Sequence, residues 1–207
     1  MRVRTYQTKA VVLKSRALGE ADRLLTLFTE SQGRLSAVAR GARRPKSRMG
    51  GSIDVLNFVQ VSLSPGRTFD HLNECVVVDG FKNLKKDLKC IASGVYLAEL
   101  IDTFGDERTQ NIPLLKLLVE GLTFLDRDIT SDVVVRKFEM NLLGICGFTP
   151  ELENCVSCQE ELFPNKGRFC IFSLSKVIGA DWGAIVICNY ENDFNRLKHP
   201  FCASGIH

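Results

Sequence analysis

A chain of 207 residues that is 45% hydrophobic and 25% charged has ample apolar content for a buried core and room for one large domain or two modest ones. No apolar stretch approaches the roughly 18 residues of a membrane span. The start, Met-Arg-Val-Arg-Thr-Tyr, lacks the apolar core of an export signal, so the expected location is cytoplasmic, with no membrane partner. The net charge of +3 conceals an asymmetry, because residues 1–50 carry twelve Lys or Arg against three acids, a net +9, while the remainder sums to −6. Positive charge gathered in one segment fits a surface that faces a polyanion, with nucleic acid the leading candidate.

The first 80 residues read as short strands separated by turns. Residues 8–13 are a compact β-rich run, Gly19-Glu20 is a turn, residues 24–29 are a second run, and Gln32-Gly33 turns the chain before residues 35–39. After a stretch rich in glycine and arginine, residues 55–63 alternate as a longer strand. Ser64-Pro65-Gly66 then turns the chain into a fifth run at residues 74–78. Five strands in so short a segment suit a small closed barrel and are compatible with an OB-fold. From residue 84 the period changes: Leu84, Leu88, Ile91, Val95, Ala98 and Ile101 recur at helical spacing and place a boundary near Phe81. Further helices are expected over residues 113–125 and 132–146, the latter capped by Ser131 or Asp132 and stopped by Gly147 and Pro150.

No acidic residue occurs between Ser31 and Ile53, whereas Arg34, Arg40, Arg43, Arg44, Lys46 and Arg48 supply six cations. Glycine permits close approach of the backbone to a phosphate, and arginine forks match phosphate oxygens bidentately, so this composition fits backbone recognition rather than base reading. Six neutralised phosphates would give a log–log salt slope of roughly −4 to −5. A phosphate-binding P-loop is excluded, because Lys46 stands one position too early, Pro45 replaces the required glycine, and Gly50-Gly51 follows in place of a helix.

These segments resemble the RecO family. Thr8-Lys-Ala-Val-Val-Leu13, Gly19-Glu-Ala-Asp22, Leu27-Phe-Thr29, Gly33-Arg-Leu-Ser36 and the run from Ala39 to Ser47 look like its amino-terminal signature. Tyr96-Leu-Ala-Glu-Leu100, Leu142-Leu-Gly144, Gly147-Phe-Thr-Pro150 and Cys155-Val-Ser-Cys158 resemble its helical part and the opening of its zinc module. The resemblance implies a multi-domain α+β chain: an OB-fold over residues 1–80, an α-helical domain over 81–150 and a zinc-ribbon-like module over 151–191; the tail over 192–207 reads as irregular and departs from the family, being polar and too short for its closing helix. It also implies binding to single- and double-stranded DNA, annealing of complementary strands, and partnership with RecR and the single-stranded DNA-binding protein during RecA loading.

Cys155 and Cys158 have the spacing of a zinc knuckle, and Cys188 lies in range as a third ligand. Here the sequence departs from the family pattern, since Glu191 stands where a fourth cysteine is expected. Cys170, Glu191 and Cys202 are the alternatives, and a ribbon held by packing and reduced thiols is the competing reading. Cys75, Cys90 and Cys146 lie in apolar patterns and read as small buried hydrophobes. No catalytic residues are expected: His71, His199 and His207 are scattered, and the acidic pairs at Asp126 with Asp128 and Glu160-Glu161 lie outside the basic region. Tyr6, Phe28, Phe58 and Phe69 sit in strand-like contexts and read as core. The chain therefore reads as a binding protein, with an interaction adaptor that holds DNA only weakly as the alternative.

Overall fold

The computed structural model describes residues 5–45, 47, 49–127 and 130–149, together with the strands Phe169–Ser173 and Ala184–Cys188. They fall in two compact units, Met1–Cys146 and Gly147–His207. In the first, β1 (Tyr6–Leu18), β2 (Asp22–Thr29) and β3 (Gly33–Ala39) form an antiparallel meander, and β4 (Phe58–Ser64) and β5 (Asp70–Asp79) complete a closed barrel of order β1-β2-β3-β5-β4. β1 pairs antiparallel with β4, and β3 meets β5 in parallel, Ala37 against Asp70 and Val38 against His71. This is the closure of an OB-fold, in agreement with the architecture expected from the strand pattern. Alternating residues, among them Leu25, Leu27, Leu35, Ala37, Val59 and Val61, fill the barrel interior.

β1 runs five residues beyond its expected end at Leu13, and a bulge explains how. The register passes from Val12 opposite Leu27 to Lys14 opposite Thr26, leaving Leu13 as the extra residue. An inserted residue shifts the two-residue period, so the even positions that point into the barrel at Ala10 and Val12 point out of it at Lys14 and Arg16. β4 begins at Phe58 rather than at residue 55. The three residues before it belong to a turn in which Leu56 is left-handed (φ 70°), and the buried Asn57 amide donates to the carbonyls of Gly51 and Ser52.

A short 3-10 turn (Leu84–Lys86) leads into α1 (Leu88–Phe104), α2 (Ile112–Asp126) and α3 (Ser131–Ile145). Asp87 caps α1 by accepting from the backbone N–H groups of Lys89 and Cys90, and Asn111 caps α2 by accepting from that of Leu114. α3 differs from expectation: its N-cap is Thr130, without a side-chain cap bond. The buried stripe of α1 differs too. Gly94, Leu97, Ala98 and Ile101 are buried, whereas Leu88 is 82% exposed and Val95 lies at the surface. Leu88 is the first residue of the helix, ahead of the buried stripe that begins at Gly94. A Cβ on Gly94 would stand 2.9 Å from Leu56 Cδ1, so the glycine permits the approach. Val11, Leu13, Phe28 and Leu56 from the barrel share one core with Leu97, Ile101, Leu118 and Phe138 from the helices. In the second unit the strands β6 (Phe169–Ser173) and β7 (Ala184–Cys188) form an antiparallel pair.

Candidate nucleic-acid interface

The basic segment leaves β3 at Arg40 and folds against the β1–β2 turn. Gly41 adopts φ +65°, a conformation that favours glycine, and its N–H donates to Asp22 Oδ1 at 2.7 Å. The Arg43 N–H donates to the Ala21 carbonyl at 2.9 Å, and the Arg44 N–H to that of Gly41 at 3.1 Å. Ala42 and Ile53 are buried in the barrel core and anchor the loop from within. The backbone is therefore held, while the side chains of Arg40, Arg43 and Arg44 are exposed. Arg43 Nη1 also donates to the Gly19 carbonyl at 3.0 Å. Lys46 and Arg48 lie outside the described residues.

Arg34 is placed differently. It projects from the outer face of β3, where its Nη1 donates to the Asp102 carbonyl at 2.8 Å and stands 3.4 Å from Asp102 Oδ1. Lys14 Nζ meets the same carboxylate at 2.5 Å. With Arg16, Leu24 and Thr26 these residues line a groove across β1, β2 and β3, walled by the end of α1 and by Glu107. Lys14 and Arg16 were not recognised in the sequence as part of a cationic surface. The signal was present as two cations in the alternation phase of Ala10 and Val12, which a continuous strand would have buried.

Next to the groove, the segment joining α1 to α2 is latched onto the barrel. The carboxylate of Asp70, fully buried, accepts from Arg108 Nη2 at 2.8 Å and from the Tyr6 hydroxyl. Burial works to raise the Asp70 pKa, but the hydrogen bonds from Arg108 and Tyr6 outweigh it and hold the carboxyl below its ordinary range. Burial and the bond to Asp70 push the Tyr6 phenol up. The Arg108 N–H donates to the Arg34 carbonyl at 2.9 Å, and Arg108 itself adopts φ 52°. Gly33 lies beneath this segment at φ +60°, and a Cβ there would stand 1.9 Å from the Thr109 carbonyl oxygen.

Of the aromatics, Phe28 is fully buried, Phe58 packs against the shared core, and Tyr6 packs against the barrel core. Phe69 lies at the surface, 36% exposed. Cys75, Cys90 and Cys146 are half-buried rather than fully buried, and burial pushes the Cys75 thiol up to about 11. Cys155, Cys158, Glu191 and Cys202 lie outside the described residues. On the backbone of β6 and β7, Cys170 pairs with Ile187 and Cys188 with Phe169. Among the described residues no group of three His, Cys, Asp or Glu is placed to hold a metal ion, and no helix is long and apolar enough to cross a membrane.

An OB-fold whose anchored loop exposes Arg40, Arg43 and Arg44 defines a class, that of barrels suited to a nucleic-acid backbone. Comparison with known proteins makes the class specific. The family model described as "Recombination protein O N terminal" matches residues 1–81, and "Recombination protein O C terminal" matches residues 85–177. The chain is 34% identical over 163 residues to the DNA repair protein RecO of Symbiobacterium thermophilum, covering 78% of this chain and 64% of that protein. It is 34% identical over 169 residues to that of Desulforamulus reducens, covering 82% of this chain and 66% of that protein. To that of Acetivibrio thermocellus it is 32% identical over 188 residues, covering 87% of this chain and 74% of that protein. The chain thus spans just under two thirds of the length of the first two relatives. It belongs to the RecO family of DNA repair proteins.

Proposed function

We propose that this chain binds single- and double-stranded DNA through its β3–β4 loop and anneals complementary strands without a catalytic step. The exposed arginines neutralise phosphate repulsion so that two strands can approach and pair. In this reading it acts in the cytoplasm with RecR to load RecA onto DNA covered by the single-stranded DNA-binding protein. The observation that carries the proposal is the contrast within one loop, where the backbone is hydrogen-bonded and anchored by Ala42 and Ile53 while Arg40, Arg43 and Arg44 stand exposed. Such a loop meets a ligand with little ordering cost on the protein side.

The test is fluorescence anisotropy with labelled single-stranded DNA across a salt series, comparing the chain with an Arg43→Glu, Arg44→Glu variant. The three exposed arginines are expected to contribute roughly −2 to −3 to the log–log salt slope, most of which the variant loses along with its affinity. Unchanged affinity and slope would sink the proposal and favour an adaptor that recruits partners through its helices. The cysteine knuckle is read as one side of a zinc site, with Cys155, Cys158 and Cys188 as ligands and Cys170, Glu191 or Cys202 as the fourth. Stoichiometric zinc in the purified chain, lost in a Cys155→Ser, Cys158→Ser variant, is the expected result.

A further inference from the structure

We propose that the free edge of β5 is a docking site for an extended segment of another protein, one that carries β-branched residues between two cations and adds to the barrel as a further strand. β5 has a strand on both sides only at its start, where Asp70 and His71 pair with Ala37 and Val38 of β3. From residue 72 onward it is paired with β4 alone. Among the described residues nothing else hydrogen-bonds to the backbone of residues 72–79. The loop before β4 comes only as near as the Ser52 carbonyl, 3.8 Å from Cys75 Sγ. The open edge ends in Val76-Val77-Val78, exposed by 63%, 39% and 52%, the one run of three exposed large apolar residues in the described part of the chain. Successive side chains of a strand point to opposite faces, so exposure of all three leaves both faces bare as well as the edge. Folded proteins blunt such an edge with charge, proline or a covering element, and an apolar edge left open is the surface that strand addition uses.

The charges flanking the valines decide what fits. Glu74 and Asp79 are both exposed, five residues apart, and neither enters an ion pair among the described residues. Asp79 Oδ1 accepts from the Phe81 N–H at 2.9 Å, and Lys85, within electrostatic reach of Asp79, turns its ammonium to Asn57 Oδ1. A second copy of the chain is a poor occupant. Antiparallel self-pairing over the valines gathers four carboxylates on strands that have no Lys or Arg, and the register centred between Val76 and Val77 sets Glu74 directly opposite Asp79. Like charges so placed destabilise a sheet. A segment with Lys or Arg at each end meets both carboxylates instead, while its β-branched residues lie against Val76 and Val77 and its backbone extends the ladder. Main-chain bonds then supply the affinity and the two cations the selectivity. Val78 is the extra residue of a bulge against β4, a device that twists an edge away from flat stacking, so the edge takes one strand rather than seeding a larger sheet. The site uses none of the loop arginines and stands independently of the DNA-binding reading.

The experiment titrates the isotope-labelled full chain with the end-blocked peptide Lys-Val-Thr-Val-Thr-Lys, whose cations match the spacing of Glu74 and Asp79, and follows the backbone amide shifts by NMR. Saturable shifts centred on residues 74–79 are expected. The same peptide with Glu at both ends is expected to bind roughly tenfold more weakly, as is the cationic peptide to a Val76→Lys, Val78→Lys variant. Both substitutions fall at exposed positions, so the melting temperature of that variant should stay where it is. If it does not fold, Glu74→Lys decides on its own: it supports the site by reducing the preference for cationic ends severalfold, and an unchanged preference overturns the inference. Shifts scattered away from the edge, equal affinity for the two peptides, or no saturation overturns it as well. So does dimerisation of the parent in sedimentation velocity that the double variant abolishes, because that result gives the edge to a second copy.

Discussion

Two regions of the barrel are rich in arginine, and they use it in opposite ways. Where the helices dock, Arg108 reaches a fully buried carboxylate and Arg34 is tied to both the carbonyl and the side chain of Asp102. In the β3–β4 loop the backbone supplies the fixing bonds, and Arg40 and Arg44 stand at the surface. Sequence alone lists these residues as equals. The difference teaches that the role of an arginine is set by what lies within reach of its guanidinium: a desolvated partner turns it into a structural tie, and its absence leaves a cation for a ligand.

Stability measurements sharpen that contrast. The largest loss is expected from Asp70→Ala, which removes the buried acceptor of the latch and leaves the Tyr6 hydroxyl without it, while the Arg108 side chain, 44% exposed, can turn to water. The cost is expected to be about 2–3 kcal/mol, to be read from urea denaturation. The sign of its pH dependence follows from the lowered pKa of Asp70. A carboxyl whose pKa is depressed by folding contributes its stability above the unfolded pKa and loses it as the pH falls through the folded one. The gap in stability between the parent and an Asp70→Asn variant should therefore be flat across neutral pH and narrow below about pH 4. A gap that widens in acid would contradict the assignment of Asp70 as the ionised member of the latch.

Gly33→Ala comes next. It places a methyl group against the Thr109 carbonyl at a left-handed position, with an expected cost of about 2 kcal/mol or more. The smallest effect belongs to the loop. Arg43→Glu with Arg44→Glu should change stability by no more than about 0.5 kcal/mol, although the same variant is expected to lose DNA affinity. A substantial fall in melting temperature for that variant would erase the distinction between the two regions.

Much of the fold could be read from the residues. The runs bounded by turns at Gly19 and Gly33 and the alternation over residues 55–63 pointed to a small barrel, and the change of period from Leu84 marked the first helix. The misreadings have physical causes. β1 was expected to end with the compact β-rich run at Leu13, whereas the bulge there lets the strand continue to Leu18 with Lys14 and Arg16 turned outward. The stripe on α1 was misplaced because Leu88 and Val95 fit the period while the docked face is centred on Gly94, Leu97 and Ile101. A glycine contributes nothing to a hydrophobic pattern, yet its lack of a side chain brings α1 onto Leu56. The candidate site divided in the same manner. Composition exposed the loop, because a run of cations needs no partner to be noticed. The groove depends on Asp102, nearly 70 positions from Arg34, a pairing that charge counting along the chain does not reveal.

The hydrophobic core shared by the barrel and the helices has a consequence for how this molecule can be divided. The two matched segments meet between residues 81 and 85, but the packing has no seam there: Phe28 of β2 lies against Gly105, where an added Cβ would stand 2.5 Å from the ring. A barrel severed at that point would turn Val11, Phe28 and Leu56 toward water. A hybrid made by joining the barrel of one relative to the helices of another inherits two halves of a lock. It should fold only where the residue opposite Phe28 is as small as the one found here.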